Sequence, residues 1–177
     1  MLPPNPNKDL TFDPANLRDL YLAGGCFWGV DAYMERVPGV YYTESGYANG
    51  FLAGPVTYEE VCTETKGHAE TVYLQYDPTK IELDTLLDQF FEVINPTTLN
   101  RQAGDIGTRY RTGIYTTADT TADDVAVIFT KLAQLQAKYD KPVVTEVTHL
   151  RNYHKAEEYH QNYLEKNPGG YCHISFN

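Results

Sequence analysis

The run Leu20-Tyr21-Leu22-Ala23-Gly24-Gly25-Cys26-Phe27-Trp28-Gly29 passes from four apolar residues through a glycine pair to one cysteine and two large aromatics. An apolar run that ends on glycines and gives way to helical spacing reads as strand, tight turn and helix. Cys26 then stands at a helix N-terminus, where unpaired backbone N–H groups and the helix dipole favour an anion. A thiol so placed is expected to be partly thiolate near neutral pH, and the thiolate is the reactive form. Gly24 and Gly25 permit a bend that side chains would obstruct. The alternative for a lone cysteine is a small apolar side chain filling a core space. Neighbours brought from elsewhere in the chain decide between the two.

Downstream, Val30, Tyr33, Met34 and Val37 recur at helical spacing until Pro38-Gly39 stops them. Val40–Ala48 reads as a strand closed by the turn signal Asn49-Gly50, and Tyr58–Cys62 as a short helix or turn. Residues 70–76 alternate, with Glu70, Val72, Leu74 and Tyr76 on one face. Glu70 therefore heads an apolar face, an expensive place for an ionised carboxylate. The clearest helix follows, with Leu83, Leu86, Leu87, Phe90, Phe91 and Ile94 on one stripe and Asn95-Pro96 at its end. Residues 97–109 form a polar connection longer than packing requires, and such loops often carry function.

The second half predicts a strand over 110–115, then a helix capped by Thr120 and Thr121 with the stripe Val125, Ile128, Phe129, Leu132 and Leu135. A strand over 143–147 and a last helix over 156–164 complete it. Residues 1–17, with Pro3, Pro4, Pro6 and Pro14, read as an irregular arm. Residues 167–177 read as a flexible tail, with Pro168-Gly169-Gly170 just before Tyr171-Cys172-His173. Strands and helices interleave without a G-x-G-x-x-G fingerprint. The fold class expected is α+β: a two-layer sandwich with a central mixed sheet, flanking helices and extensive loops, forming one domain over 1–177.

Composition removes several functions. A formal net charge of −10 with no basic stripe argues against a nucleic-acid groove. Three scattered cysteines, at 26, 62 and 172, make neither a disulfide scaffold nor a C-x-x-C metal site, and the odd number leaves at least one thiol unpaired. No metal is expected. The N-terminus lacks an apolar signal region and no window reaches membrane-spanning length, so a soluble protein is expected. Fifteen tyrosines are the unusual feature. A tyrosine-rich pocket is both apolar and hydrogen-bonding, although most tyrosines are ordinary strand residues.

Three features converge: a cysteine at a helix start, a carboxylic acid on an apolar strand face and a second cysteine on a bendable tail. Burial disfavours charge, so Glu70 should keep its proton and act as a general acid near pH 7. A thiolate beside a protonated acid suits attack on a centre whose oxygen must be protonated to leave, which describes sulfur–oxygen bond cleavage.

The segments Gly25-Cys26-Phe27-Trp28-Gly29, Ser45-Gly46-Tyr47, Gly67-His68-Ala69-Glu70, Gly107-Thr108-Arg109-Tyr110-Arg111 and Gly170-Tyr171-Cys172, in this order, resemble the A-type peptide methionine sulfoxide reductases. The resemblance implies a ferredoxin-like core. It implies reduction of the S epimer of methionine sulfoxide, free or in proteins, with Cys26 as the nucleophile that becomes a sulfenic acid. It further implies Glu70 as the acid and Tyr47 and Tyr110 as hydroxyls on the sulfoxide oxygen. Asp105 matches a polar residue of the same site, and Phe27 and Trp28 the wall that holds the substrate methyl group. Cys172 matches the resolving cysteine, forming a Cys26–Cys172 disulfide that thioredoxin or another dithiol reduces, with no bound cofactor. A dithiol cycle fits a cytoplasmic location.

Some relatives carry a further recycling cysteine, and this chain ends five residues beyond Cys172 without one. That end also resembles the A-type half of reductases fused to a B-type domain. Asp31 stands where many relatives have glutamate and is expected to be a helix-surface change of little consequence. Cys62 reads as a buried structural thiol. His68 as a base for Cys26 would give a cysteine hydrolase instead, and the remaining histidines show no ligand spacing and read as surface residues. The rival readings are another thiol enzyme, a peroxidase or hydrolase, and a non-enzymatic module that binds methionine-containing peptides.

Overall fold

Strand β1 (Arg18–Gly24) runs through the middle of a six-stranded sheet and stops at the glycine pair, where α1 (Phe27–Met34) begins with Cys26 as its N-cap. The computed structural model describes residues 1–52 and 54–176. After α1 come β2 (Val40–Ala48), α2 (Tyr58–Cys62), β3 (Ala69–Tyr76), α3 (Leu83–Glu92), the short pair β4 (Arg101–Gln102) and β5 (Asp105–Ile106), and β6 (Thr112–Thr116). The chain closes with α4 (Ala122–Lys138), β7 (Glu146–His149), β8 (Tyr153–Lys155) and α5 (Tyr163–Lys166). The sheet order is β7-β6-β1-β3-β2-β8, antiparallel throughout except for β6 and β7.

Its four inner strands, β6-β1-β3-β2, with α1 and α3 as the crossovers, form the βαββαβ arrangement of a ferredoxin-like core. The sheet is mixed and the helices flank it, as the alternation in 70–76 and the stripe in 83–94 predict. Leu22, Val72 and Ile114 share one face, paired across β1, β3 and β6, and are wholly buried with Leu86, Leu87 and Phe90 of α3. Each such side chain stabilises the fold by about 1.5–3 kcal/mol, so this layer carries much of the core. Val30 and Met34 of α1 complete it. The opposite face is clad largely in tyrosine: Tyr21 stacks on Tyr73 at 4.9 Å and meets Tyr153 edge-on at 5.2 Å. Those rings account for several of the fifteen tyrosines without any catalytic role.

The structure differs from the expectations in several places. The last helix is broken: a 3-10 turn over Glu158–His160 and the short α5 are separated by Asn162 in the left-handed region at φ 50°. The cause is Gln161, whose amide bonds both the N–H and the carbonyl of Ser45 and so ties this segment to the edge of β2. Strand β8, not foreseen, pairs with the same edge. Tyr110 lies in a 3-10 turn and its strand starts only at Thr112. The strand expected over 143–147 begins at Glu146, because Val143 and Val144 donate instead to Gln136 and Pro96. On α4, Phe129 is exposed and Lys131 is buried, its ammonium between Asp84 and Asp88 of α3.

Asp31 is not on a surface. It is 3% exposed between α1 and Ser45 of β2, with Oδ1 unpartnered among the described residues, and burial pushes its carboxyl up to about 6. Among the described residues no helix is long and apolar enough to cross a membrane.

Candidate active site

The turn between β1 and α1 sets the site. Gly25 adopts φ +84°, and a Cβ there would fall 2.6 Å from Cβ of Gln102, so only glycine lets the β4–β5 hairpin lie against the head of α1. The first free N–H groups of α1 are divided between two side chains. Phe27 donates its backbone N–H to Oε1 of Glu70 at 3.1 Å, and the Trp28 N–H faces the sulfur of Cys26. Acid and thiol are thereby fixed to the same helix end by the donors that the helix cannot use itself.

Burial dominates the electrostatics of both. Cys26 is 7% exposed, and desolvation, then the neighbouring Glu70, pushes its thiol well above the ordinary range against the pull of the Trp28 N–H. The thiolate expected at neutral pH is therefore not the resting form: the helix end is too weak to offset the loss of water. Glu70 is 2% exposed, and desolvation raises its carboxyl to about 8, with the Phe27 N–H and Arg109 pulling the other way. At neutral pH it holds its proton.

Around this pair stand the other residues. Tyr110 is nearly buried under the Arg109 guanidinium, 4.5 Å over its ring, and its hydroxyl is pushed up to about 12 by burial and by Glu70. Asp105, on β5, accepts the Tyr171 hydroxyl at 3.3 Å and lies 3.8 Å from Nδ1 of His173. Phe27 is buried. Trp28 stacks flat on Tyr163 at 3.7 Å and donates its indole N–H to Nδ1 of His160 at 2.9 Å. Cys172 is half-buried, with its sulfur 2.9 Å from the position of a Cβ on Gly29, and it accepts the Ile174 N–H at 3.3 Å. The tail thus lies docked on α1.

Tyr47 is placed differently from the rest. It pairs with Glu70 across β2 and β3, yet it is wholly buried and donates its hydroxyl to Oε1 of Glu157 at 2.8 Å. Tyr58, on α2, is the tyrosine whose hydroxyl is pushed up by burial, with the half-buried Cys62 thiol, Glu70 and Tyr110 among its neighbours. Its backbone N–H is held by the other oxygen of Glu157 at 2.9 Å. Cys62 is only partly buried, not fully enclosed as expected. His68 does not serve Cys26; it is buried against Gly50 and His154, and its imidazole is pushed down to about 4, chiefly by burial.

Tyr58, Glu157 and His160 escaped the sequence reading. His160 is wholly buried and ringed by Phe27, Trp28 and Tyr58, not at the surface. The helical period assigned to 156–164 hid it, and nothing near Tyr58 marks that residue out.

The fold therefore brings a buried thiol and a neutral carboxylic acid together at the head of α1, with two tyrosine hydroxyls near enough to feel that acid and a second thiol against the same helix. Comparison with known proteins agrees with that chemistry. The family model described as peptide methionine sulfoxide reductase matches residues 18–177. The peptide methionine sulfoxide reductase MsrA of Alkaliphilus metalliredigens is 52% identical over 159 residues, covering 90% of this chain and 98% of that protein. Mxr1 from Saccharomyces cerevisiae in reduced form superposes with a TM-score of 0.84 at 33% identity, covering 95% of this chain and 96% of the other. Mxr1 in complex with Trx2 matches at a TM-score of 0.59 and 26% identity, over 88% of this chain and 91% of that one. With a family model that matches residues 18–177 and a relative 52% identical over nine-tenths of the chain, the chain belongs to the peptide methionine sulfoxide reductase family.

Proposed function

We propose that the protein reduces the S epimer of methionine sulfoxide, free or within proteins, at Cys26, and is returned to its starting state by thioredoxin or a similar dithiol. The observation that carries this reading is the pair at the head of α1: Glu70, kept protonated by burial, sharing the helix end with the Cys26 thiol. Phe27 and Trp28 receive the substrate methyl group, and the hydroxyls of Tyr110 and Tyr58 face the sulfoxide oxygen. Tyr58 takes the part expected of Tyr47, whose proton is committed to Glu157.

The sulfur of Cys26 attacks the sulfoxide sulfur while Glu70 gives its proton to the oxygen and takes up the proton of the thiol. The hydroxyl of the sulfur–sulfur-bonded intermediate then passes to Cys26 as that bond and the bond from oxygen to the methionine sulfur break, so that methionine leaves, Cys26 becomes a sulfenic acid and Glu70 is protonated again. No other proton source is needed. Cys172 then displaces that oxygen as water to form a Cys26–Cys172 disulfide, which the dithiol donor reduces by exchange. Asp105 and Tyr171, hydrogen-bonded to one another, border the mouth of the site on the side of the tail. The complex of the yeast relative with Trx2 supports a thioredoxin as donor. A dithiol cycle suits a reducing compartment, and the cytoplasm is the location proposed.

The test offers separated R and S epimers with dithiothreitol and measures methionine. Methionine should form from the S epimer alone, and none from it would end the proposal. With thioredoxin as donor, Cys172→Ser should complete one turnover and then stop, whereas a hydrolase would run on unaffected.

A further inference from the structure

The tail comes down on the first turns of α1 with consecutive side chains to either side of it. The Cys172 sulfur lies 2.9 Å from the position of a Cβ on Gly29, and Cε1 of His173 lies 3.6 Å from the corresponding point on Gly25. Cys26 stands between those two glycines in the chain. The His173 side chain is only 4% exposed, yet among the described residues neither ring nitrogen has a hydrogen-bond partner. The nearest carboxylate oxygen, Oδ2 of Asp105, is 3.8 Å from Nδ1 and already accepts the Tyr171 hydroxyl.

An imidazole always carries at least one N–H, and leaving it unpaired away from water costs about 1–3 kcal/mol. A penalty of that kind beside both cysteines of a redox pair calls for a functional reason. Burial lowers the affinity of His173 for a second proton, against the opposing pull of Asp105, so the ring is neutral at pH 7. A neutral ring has one nitrogen free to accept a proton and one N–H free to give. Cys172 needs such a neighbour, because burial raises its own thiol.

We infer that His173 carries the proton in the step that joins Cys172 to the sulfenic acid on Cys26. This rests on the functional reading given above. In that step the Cys172 sulfur attacks the Cys26 sulfur, the sulfur–sulfur bond forms and the sulfur–oxygen bond of the sulfenic acid breaks. The free nitrogen of His173 takes the proton of the Cys172 thiol, and its N–H gives a proton to the departing hydroxide. One sulfenic acid and one thiol become one disulfide and one water, with no outside proton or electron. The titratable group that faces the ring is Asp105 on β5; Tyr171 and Cys172 neighbour it on the tail, and Cys26 follows the Gly25 that the ring approaches. Asp105 stabilises the transient imidazolium. At low pH the ring is already protonated and its accepting nitrogen is gone, so disulfide formation slows.

The experiment is a single turnover of the whole protein with S-sulfoxide and no donor, following methionine by chromatography and the two thiols by quenched alkylation. The variants are His173→Gln and His173→Ala, the second with and without added imidazole. Methionine should appear at the wild-type rate in both. Disulfide formation should slow by about tenfold or more, with the sulfenic acid trapped by dimedone, and imidazole should restore it in His173→Ala. The acid limb of the disulfide step in the wild type should vanish in His173→Gln. Disulfide formation at the wild-type rate in His173→Gln overturns the inference, as does an equal slowing of methionine release, or loss of rate in His173→Ala that imidazole leaves untouched. Absence of methionine from the wild-type protein would instead refute the functional reading beneath it.

Discussion

Keeping a proton on Glu70 has a thermodynamic cost that can be measured in the folded protein without any substrate. The carboxyl is raised from an ordinary 4.5 to about 8 by desolvation. A group whose affinity for protons is higher in the folded state contributes stability that is whole below the unfolded value, about 4.5, and is lost as pH rises through about 8. Each tenfold gain in proton affinity on folding corresponds to about 1.4 kcal/mol, so between pH 5 and pH 8 the wild type should lose about 4 kcal/mol through this one residue. Glu70→Gln keeps the size of the side chain and an oxygen for the Phe27 N–H but has nothing to ionise. Asp31 and His68, also displaced by burial, are the same in both proteins and cancel in the difference. Urea unfolding of the two proteins at steps from pH 5 to pH 9 supplies the comparison. With a urea slope of about 2 kcal/mol per molar, the wild-type midpoint should fall by about 2 M relative to the variant over that window. If the two midpoints run parallel within about 0.5 M, Glu70 is ionised in the folded protein and the acid assigned to it does not exist.

Two further outcomes follow from the hydrogen bonds at the site. His160→Ala removes the acceptor of the Trp28 indole N–H, and the loss of about 1 kcal/mol should raise KM about fivefold while kcat falls less. Trp28 is the single tryptophan of the chain, so its emission should shift red in the same variant, and an unchanged spectrum would show the indole is held by Tyr163 alone. Tyr47→Phe strands one oxygen of Glu157 and should destabilise the fold by about 1–3 kcal/mol with little effect on methionine formation. Tyr58→Phe should do the reverse, slowing methionine formation by about 10- to 100-fold in a protein of near-normal stability. Equal behaviour of the two variants in rapid-mixing and melting experiments would remove the distinction between these tyrosines.

What could be read in the chain were features whose cause is local. The alternation through 70–76 put Glu70 on the core side because strand geometry allows nothing else, and its burial set its proton affinity. The stripe of α3 and the glycine turn before Cys26 are of the same kind. What escaped depends on contacts across long separations. Gln161 reaches Ser45 over 116 residues and breaks a helix that its own neighbourhood favours. Glu157 grips Tyr47 over 110 residues and Tyr58 over 99, and so settles which tyrosine hydroxyl is spent inside the fold. The thiolate expected at Cys26 failed for a related reason: a helix end is visible in sequence, but the depth at which the rest of the chain buries it is not.

The placement of Met34 bears on how such a protein survives its own working conditions. Oxidants that create its substrate also threaten its side chains, and a thioether is among the softest targets a protein offers. The chain contains two methionines: Met1, fully exposed at the terminus, and Met34, wholly enclosed on the helix that presents Cys26. Oxidation of Met1 would alter nothing that packs, whereas a sulfoxide at Met34 would drive a polar oxygen under the helix that Cys26 caps, where no second copy could reach to mend it. A core of leucine, isoleucine, valine and aromatic side chains leaves that one thioether as its vulnerable point, and gives it complete shelter.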